Sequence, residues 1–258
     1  MNILEQIIAH KKNEVAEAKQ ELPVKKLLQN RNIKRTGYSL KNNLLIPAST
    51  GIIAEFKRKS PSKGFINRDA DVQEITNGYV ANGASGISIL TDNYFFGGSS
   101  VDLKTARRLN IPILRKDFII DEYQVYETKA MGADIILLIA ACLTKKEMQQ
   151  LASTARSIGL ETLLEIHDEQ EIDHYCDEIN MVGINNRNLK TFKVDIEQSI
   201  YLADKLPQGT IKISESGIDN VATVKLLRSE GFSGFLIGEQ FMKNENPVEE
   251  FSKFVNEI

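Results

Sequence analysis

An α/β fold, a (β/α)8 TIM barrel carrying an N-terminal helical extension, is the architecture this sequence predicts. Three observations lead to it. Short β-branched or Leu-rich runs recur eight times between residues 51 and 237. Longer segments of helical periodicity separate them, as at 145–158 and 220–230. Glycine closes several of these helices just before the next run, at Gly132, Gly159 and Gly231. Eight strands alternating with helices over this length match a closed parallel barrel. The runner-up, a doubly wound open sheet, carries an early G-x-G-x-x-G after its first strand, and none is present. The expectation is one domain over 1–258, of which 1–47 is the helical extension.

The elements follow in order. Ile3, Leu4, Ile7, Ile8 and Val15 fall on one helical face, with His10, Lys11, Lys12, Asn13 and Glu14 mostly off it. Pro23 interrupts before a second short helix at 25–29, and a polar stretch, 30–43, carries no strand signal. Such an extension is expected to pack against, or cover, one end of the body. Strands are then predicted at 51–55, 86–90, 111–114, 135–138, 162–165, 181–184, 211–214 and 234–237.

Composition narrows the function. The 258 residues are 42% hydrophobic and 26% charged with a net charge of −3, ordinary for a globular protein. That balance argues against nucleic acid or an anionic membrane as partner. Local basic clusters, Lys57-Arg58-Lys59 and Arg115-Lys116, suit an anionic small molecule instead. Cys142 and Cys176 form no C-x-x-C pattern and read as small buried apolar residues, so a cytoplasmic protein without disulfides is expected. The start lacks the apolar core of a signal peptide, and no later run is long enough to span a bilayer. A monomer or weak homo-oligomer is expected.

In a parallel barrel, chemistry stands at the carboxyl ends of the strands. Those ends read Glu55 and Lys57, Thr91 and Asp92, Lys116, Glu165, Asn185 and Arg187, then Glu215 and Ser216. Period-two alternation puts Glu55 and Lys57 on one side, and likewise Leu114 with Lys116, Leu163 with Glu165 and Ile213 with Glu215. Any one of these could be a solvated charge. Three carboxylates and two lysines converging from different strands make a set of paired acids and bases. An ammonium among carboxylates stays protonated and can act as a general acid at neutral pH. Glycines after strands seven and eight, in Glu215-Ser216-Gly217-Ile218 and Ile237-Gly238-Glu239, form a phosphate cradle of backbone N–H groups. Glu239 is expected to contribute only its N–H there, with its carboxylate turned to solvent.

Other residues read as bystanders. His167 and His174 fit no zinc-ligand pattern, and His167 reads as a loop or helix-start residue. The aromatic, glycine-rich run Tyr94-Phe95-Phe96-Gly97-Gly98 is a candidate wall against a ring.

These residues resemble the indole-3-glycerol phosphate synthase family. The resemblance rests on Ile53 to Gly64 (IAEFKRKSPSKG), Leu90 to Gly98 (LTDNYFFGG), Leu114 to Phe118 (LRKDF) and Leu164 to His167 (LEIH). It continues with Gly183 to Leu189 (GINNRNL), Ser214 to Ile218 (SESGI) and Phe235 to Glu239 (FLIGE), in order along the whole chain. The family implies ring closure, decarboxylation and dehydration of 1-(2-carboxyphenylamino)-1-deoxyribulose 5-phosphate. It implies Lys116 as the acid on the ketone oxygen and Glu165 relaying protons and stabilising positive charge. Lys57 would contact the carboxylate, and Glu55, Asn185, Arg187 and Glu215 would orient these groups and the substrate hydroxyls. Ser60, Ser216, Gly217, Gly238 and Glu239 would line the phosphate end, and Phe95 and Phe118 would meet the ring. No metal or organic cofactor is expected, because each step reduces to proton transfer. Two alternatives remain: another phosphate-binding barrel enzyme, such as a sugar-phosphate isomerase, of which phosphoribosylanthranilate isomerase with its Cys-Asp pair is the nearest, and a non-catalytic barrel that binds a metabolite or partner. Against the first, neither cysteine is expected at a strand's catalytic end.

Overall fold

Alternation decides what the barrel encloses. The computed structural model describes residues 2–188 and 193–258; Leu189, which ends one of the family-like motifs, lies outside them. The barrel strands are β1 (Ile52–Phe56), β2 (Gly86–Leu90), β3 (Ile113–Lys116) and β4 (Ile135–Ile139), then β5 (Glu161–Ile166), β6 (Met181–Asn185), β7 (Lys212–Glu215) and β8 (Phe232–Ile237). Each pairs in parallel with its neighbours, and β8 returns to β1 with Ile52 opposite Phe235, closing the barrel. Every strand lies within two residues of its expected position.

Odd strands each send one residue inward per layer. Ile53, Leu114, Leu163 and Ile213 form such a layer, all four fully buried in the apolar interior. Burying side chains of this size contributes roughly 1.5–3 kcal/mol apiece. Two residues further along the same strands stand Glu55, Lys116, Glu165 and Glu215. The top layer of the barrel core is therefore ionisable, directly above an apolar one.

Helices α4 (Val72–Ala81), α5 (Ser100–Ala106), α6 (Glu122–Met131), α7 (Lys145–Ser157), α8 (Ile196–Ala203) and α9 (Val221–Ser229) connect the strands around the outside. Local chemistry starts them: Thr144 and Glu147 cap α7 reciprocally, as Asp121 and Gln124 cap α6. The β5-to-β6 crossover uses a 3-10 helix, Glu169–His174, in place of an α-helix. The four-residue α10 (Glu239–Met242) and then α11 (Pro247–Asn256) follow β8.

The extension does more than cover one end. Helix α1 (Ile3–Glu21) lies over the carboxyl mouth, where Ile3, Leu4 and Ile7 line the bowl. After α2 (Val24–Leu27) the chain runs beside α6, with Asn32 Nδ2 donating to Ala130 O at 2.9 Å. It then turns under the barrel, where Leu40 and Leu44 of α3 (Leu40–Leu44) join the interior cluster from the amino end. Both mouths are occupied.

Lys11 corrects the helical reading of α1. It is wholly buried, with Nζ 2.9 Å from Glu14, 3.1 Å from Asp92 Oδ2 and 3.0 Å from Asp117 Oδ1. Burial alone would lower its pKa; Asp117, Asp92 and Glu14 outweigh that and hold the ammonium above its ordinary value.

Candidate active site

The charged layer converges at the floor of the bowl. Lys116 Nζ lies 3.1 Å from Glu165 Oε2 and, across the barrel, 3.3 Å from Glu215 Oε2. Asn185 Nδ2 donates to Glu165 Oε1 at 3.0 Å, and Lys57 Nζ sits 2.7 Å from Glu55 Oε1. Residue 183 must be glycine here, because a Cβ would come within 2.2 Å of Glu215 Oε1.

Electrostatics separate the members of this layer. Burial would deprotonate Lys116, but Glu165, Glu215 and Glu55 outweigh it and hold the ammonium well above the usual lysine range. Glu165 is also buried; Lys116, His167 and Asn185 override that cost and hold its carboxylate far below the usual range. Glu215 goes the other way. Burial and the neighbouring Glu165 carboxylate raise it, against Lys116, to about 7. One site thus holds a fixed cation, a fixed anion and a carboxyl that titrates near neutrality.

A cavity of about 420 Å³ opens over this floor, within the usual range for a small-molecule pocket. It is lined by Glu55, Lys57, Ser60, Lys116, Phe118, Glu165, Asn185, Arg187, Glu215, Ser216, Gly217, Gly238 and Glu239. Of the expected site residues only Phe95 is absent. Asp92 Oδ1 accepts from the backbone N–H of both Phe95 and Phe96, at 2.8 and 3.2 Å, and this turn decides which ring faces inward. Phe96 lines the cavity, 5.9 Å from the Phe118 ring. Phe95 packs outside, edge-on to His10 at 5.8 Å and to Tyr94 at 4.8 Å. The wall expected from the aromatic run is therefore Phe96.

The phosphate end holds a second correction. The Glu239 carboxylate is not turned to solvent: Lys63 Nζ lies 2.5 Å from Oε1, and Arg187 lies 3.8 Å from Oε2. Burial would raise its pKa, and Lys63, Lys57 and Arg187 lower it further than burial raises it. Gly217 has φ 69°, and Ser216 before it has φ 68°, a left-handed conformation uncommon outside glycine. A Cβ at Gly238 would meet Glu55 Oε1 at 2.5 Å, so this glycine also makes room for the Glu55 side chain. Ser60 Oγ and Glu215 Oε1 are buried without a hydrogen-bond partner although their residues line the cavity. Buried polar atoms left in this way mark where a ligand would bond.

Parity also divides the basic clusters. Lys57 and Lys116 point in, whereas Arg58, of opposite parity, engages Asp102 and the Ala70 carbonyl; Lys59, past the end of β1, reaches the Tyr94 carbonyl instead. Arg115 points out to Asp117, 3.0 Å away, and Glu127, 2.8 Å away. The cysteines are half-buried rather than buried. Cys142 ends the short 3-10 turn directly after β4, so one cysteine does lie at a strand's catalytic end. Burial, with Glu165 and Glu171 nearby, pushes its thiol up to about 12, which removes it as a neutral-pH acid-base group. The residues missed by sequence reasoning are Lys63, Phe96, Lys11 and His167, whose Nε2 lies 3.2 Å from Glu165 Oε1. Lys63, between Ser62 and Gly64 in the basic loop, and Phe96, in the aromatic run, carried usable signals; Lys11 and His167 did not.

Solved structures share the architecture at low identity. A 3-hexulose-6-phosphate synthase from Salmonella typhimurium superposes with a TM-score of 0.64 at 13% identity, over 80% of this chain and 97% of that one. A thiamine phosphate pyrophosphorylase from Pyrococcus furiosus does so with 0.62 at 16%, over 85% and 98%. Sequence relatives are nearer. The indole-3-glycerol phosphate synthase of Bacteroides thetaiotaomicron is 51% identical over 258 residues, 100% of this chain and 99% of its own length. That of Chromobacterium violaceum is 40% identical over 98% of this chain and 97% of its own. A family model for indole-3-glycerol phosphate synthase matches residues 4–254. With sequence, strand-end chemistry and barrel in agreement, the chain belongs to the indole-3-glycerol phosphate synthase family.

Proposed function

We propose that this chain converts 1-(2-carboxyphenylamino)-1-deoxyribulose 5-phosphate to indole-3-glycerol phosphate, with release of carbon dioxide and water, and that Lys116 is its principal acid. The observation that carries this is the Lys116 ammonium between Glu165, at 3.1 Å, and Glu215, at 3.3 Å, on the floor of the cavity. In the first step the ring carbon bearing the carboxylate bonds to the ketone carbon. The ketone oxygen takes the Lys116 proton and becomes a hydroxyl. The dearomatised ring carries positive charge, which the Glu165 carboxylate faces and stabilises. Loss of carbon dioxide returns its bonding pair to the ring. The hydroxyl then leaves as water, with a proton supplied from Lys57, and loss of a proton from the adjacent carbon completes the indole. Glu215, titrating near 7, is suited to hold a substrate hydroxyl and to exchange a proton.

Binding follows the charges. Lys57, paired with Glu55, meets the substrate carboxylate, and Phe96 and Phe118 take the ring. The phosphate docks on the backbone at Ser216-Gly217 and Gly238-Glu239, with Ser60 Oγ beside it. Lys63 and Arg187 transfer to it from the Glu239 carboxylate.

The chain contains no tryptophan, so it has no indole emission of its own. Adding the carboxyphenylamino substrate to the purified protein should produce indole fluorescence well beyond one equivalent per enzyme. A flat trace with folded protein rejects the proposal.

A further inference from the structure

His167 stands one residue past β5 and does not line the cavity. Its side chain is only 10% exposed, with Nε2 3.2 Å from Glu165 Oε1 and Nδ1 3.3 Å from Glu171 Oε2. The backbone locks this arrangement. The His167 N–H donates to the same Glu171 oxygen at 2.6 Å, and the His167 carbonyl accepts from Gln198 Nε2 at 2.6 Å. A neutral imidazole has one N–H and can donate to one carboxylate only; a carboxylate at each nitrogen calls for the imidazolium.

We infer that His167 is a positioning residue for the reaction proposed above: an imidazolium, anchored by Glu171, that fixes the Glu165 carboxylate and keeps it ionised behind the reacting ring. The inference rests on the synthase reading. Its chemical reason lies in the competition for one proton. Glu165 Oε2 is 3.1 Å from Lys116 Nζ, so when Lys116 gives up its proton, Glu165 is an acceptor beside the ketone oxygen. Once the ammonium is spent, Lys116 no longer holds Glu165 as an anion. A second cation on Oε1 does, and directs the proton to the substrate.

The groups around the ring agree with a charged His167. Glu165 faces it from β5, Glu171 from the 3-10 helix, and the Cys142 thiol, pushed up to about 12, stays neutral in the turn after β4. Asn185 is uncharged and shares Glu165 Oε1, and Lys116 lies on the far oxygen. Burial alone would lower the imidazole's pKa; the adjacent Glu165 and Glu171 carboxylates reverse this and push it up to about 10.

The test combines steady-state kinetics from pH 4.5 to 9 with an NMR titration of the imidazoles. The chain has three histidines, which single substitutions assign. In His167→Ala, kcat should fall about tenfold to a hundredfold, the scale of a slightly misplaced catalytic group, with KM changing far less. The acid limb of kcat should move to higher pH, because losing a cation makes Glu165 easier to protonate. His167→Gln supplies a neutral donor; it should recover part of kcat and retain the shifted limb. The wild-type His167 ring should remain charged through pH 8 and titrate lower in Glu171→Gln. Unchanged kcat and acid limb in His167→Ala overturn the inference. So does a wild-type ring titrating near 6.5, a readout that survives even if the alanine variant fails to fold. A wild-type chain that makes no indole product overturns the reaction itself, a result distinct from either of these.

Discussion

Glu215→Gln replaces a buried carboxyl with a near-isosteric amide and should make the protein less pH-sensitive. The wild-type group is raised from 4.5 to about 7 because it is buried beside Glu165, with Lys116 only partly compensating. A carboxyl raised on folding binds its proton more tightly in the native state. Its contribution to stability is therefore fully present below pH 4.5 and is lost as pH rises through 7. The shift of about 2.5 units corresponds to roughly 3 kcal/mol in full, of which about 2–3 kcal/mol falls between pH 5 and pH 8.5. The substituted amide has no proton to lose, so the variant should gain that amount relative to wild type over this interval. For a chain of this size, with an unfolding entropy near 0.5 kcal/mol/K, the relative gain in Tm is about 5 °C. Differential scanning calorimetry at the two pH values reads it directly, and the difference of differences cancels the other titrating groups. If the Tm gap between variant and wild type were the same at both pH values, Glu215 would not carry a raised pKa. Its assignment as the neutral-pH proton carrier would fall with it.

Three further outcomes are expected. Lys116→Met keeps much of the volume and removes the proton; turnover should fall at least about a hundredfold, with a smaller change in KM. Near-full turnover would move the acid elsewhere. Phe96→Ala should raise KM for the aromatic substrate about tenfold or more, at roughly 1.5–3 kcal/mol for lost aromatic burial, whereas Phe95→Ala should leave KM nearly unchanged; the reverse pattern would put Phe95 against the ring. Lys11→Met leaves Asp92 and Asp117 buried without their cation, so urea unfolding should show a loss of about 3–5 kcal/mol, the cost of breaking a buried pair. A loss under about 1 kcal/mol, the range of exposed ion pairs, would mean water already screens that cluster.

Much of the site was legible because strand geometry is rigid. Period-two alternation and the rule of strand ends place Glu55, Lys116, Glu165 and Glu215 in one layer without reference to anything else in the chain. The same parity separates Lys57 from Arg58 and Lys116 from Arg115, which composition alone groups as patches. Loops were less readable. Nothing in Tyr94-Phe95-Phe96 says which ring turns inward until the Asp92 side chain caps two successive N–H groups. Lys11 has the sequence environment of a solvated helix face, and its buried position depends on two aspartates that follow β2 and β3. Glu239 reads as a repelled carboxylate until Lys63, far away in sequence, is folded onto it.

Holding both mouths also gives the extension a place in time. The partners that seat it are made long after it: Lys11 meets Asp92 and Asp117, Arg35 meets Asp134 and Ser39 meets Glu161, 122 residues later. Loops of this length are costly to close and slow to form. During synthesis the extension emerges before the barrel and therefore cannot take its final position until the fifth strand has been made. Until then the apolar residues of α1 and α3 have no barrel to enter. Ile3, Leu4 and Ile7 can therefore join the cavity only once the barrel beneath them exists.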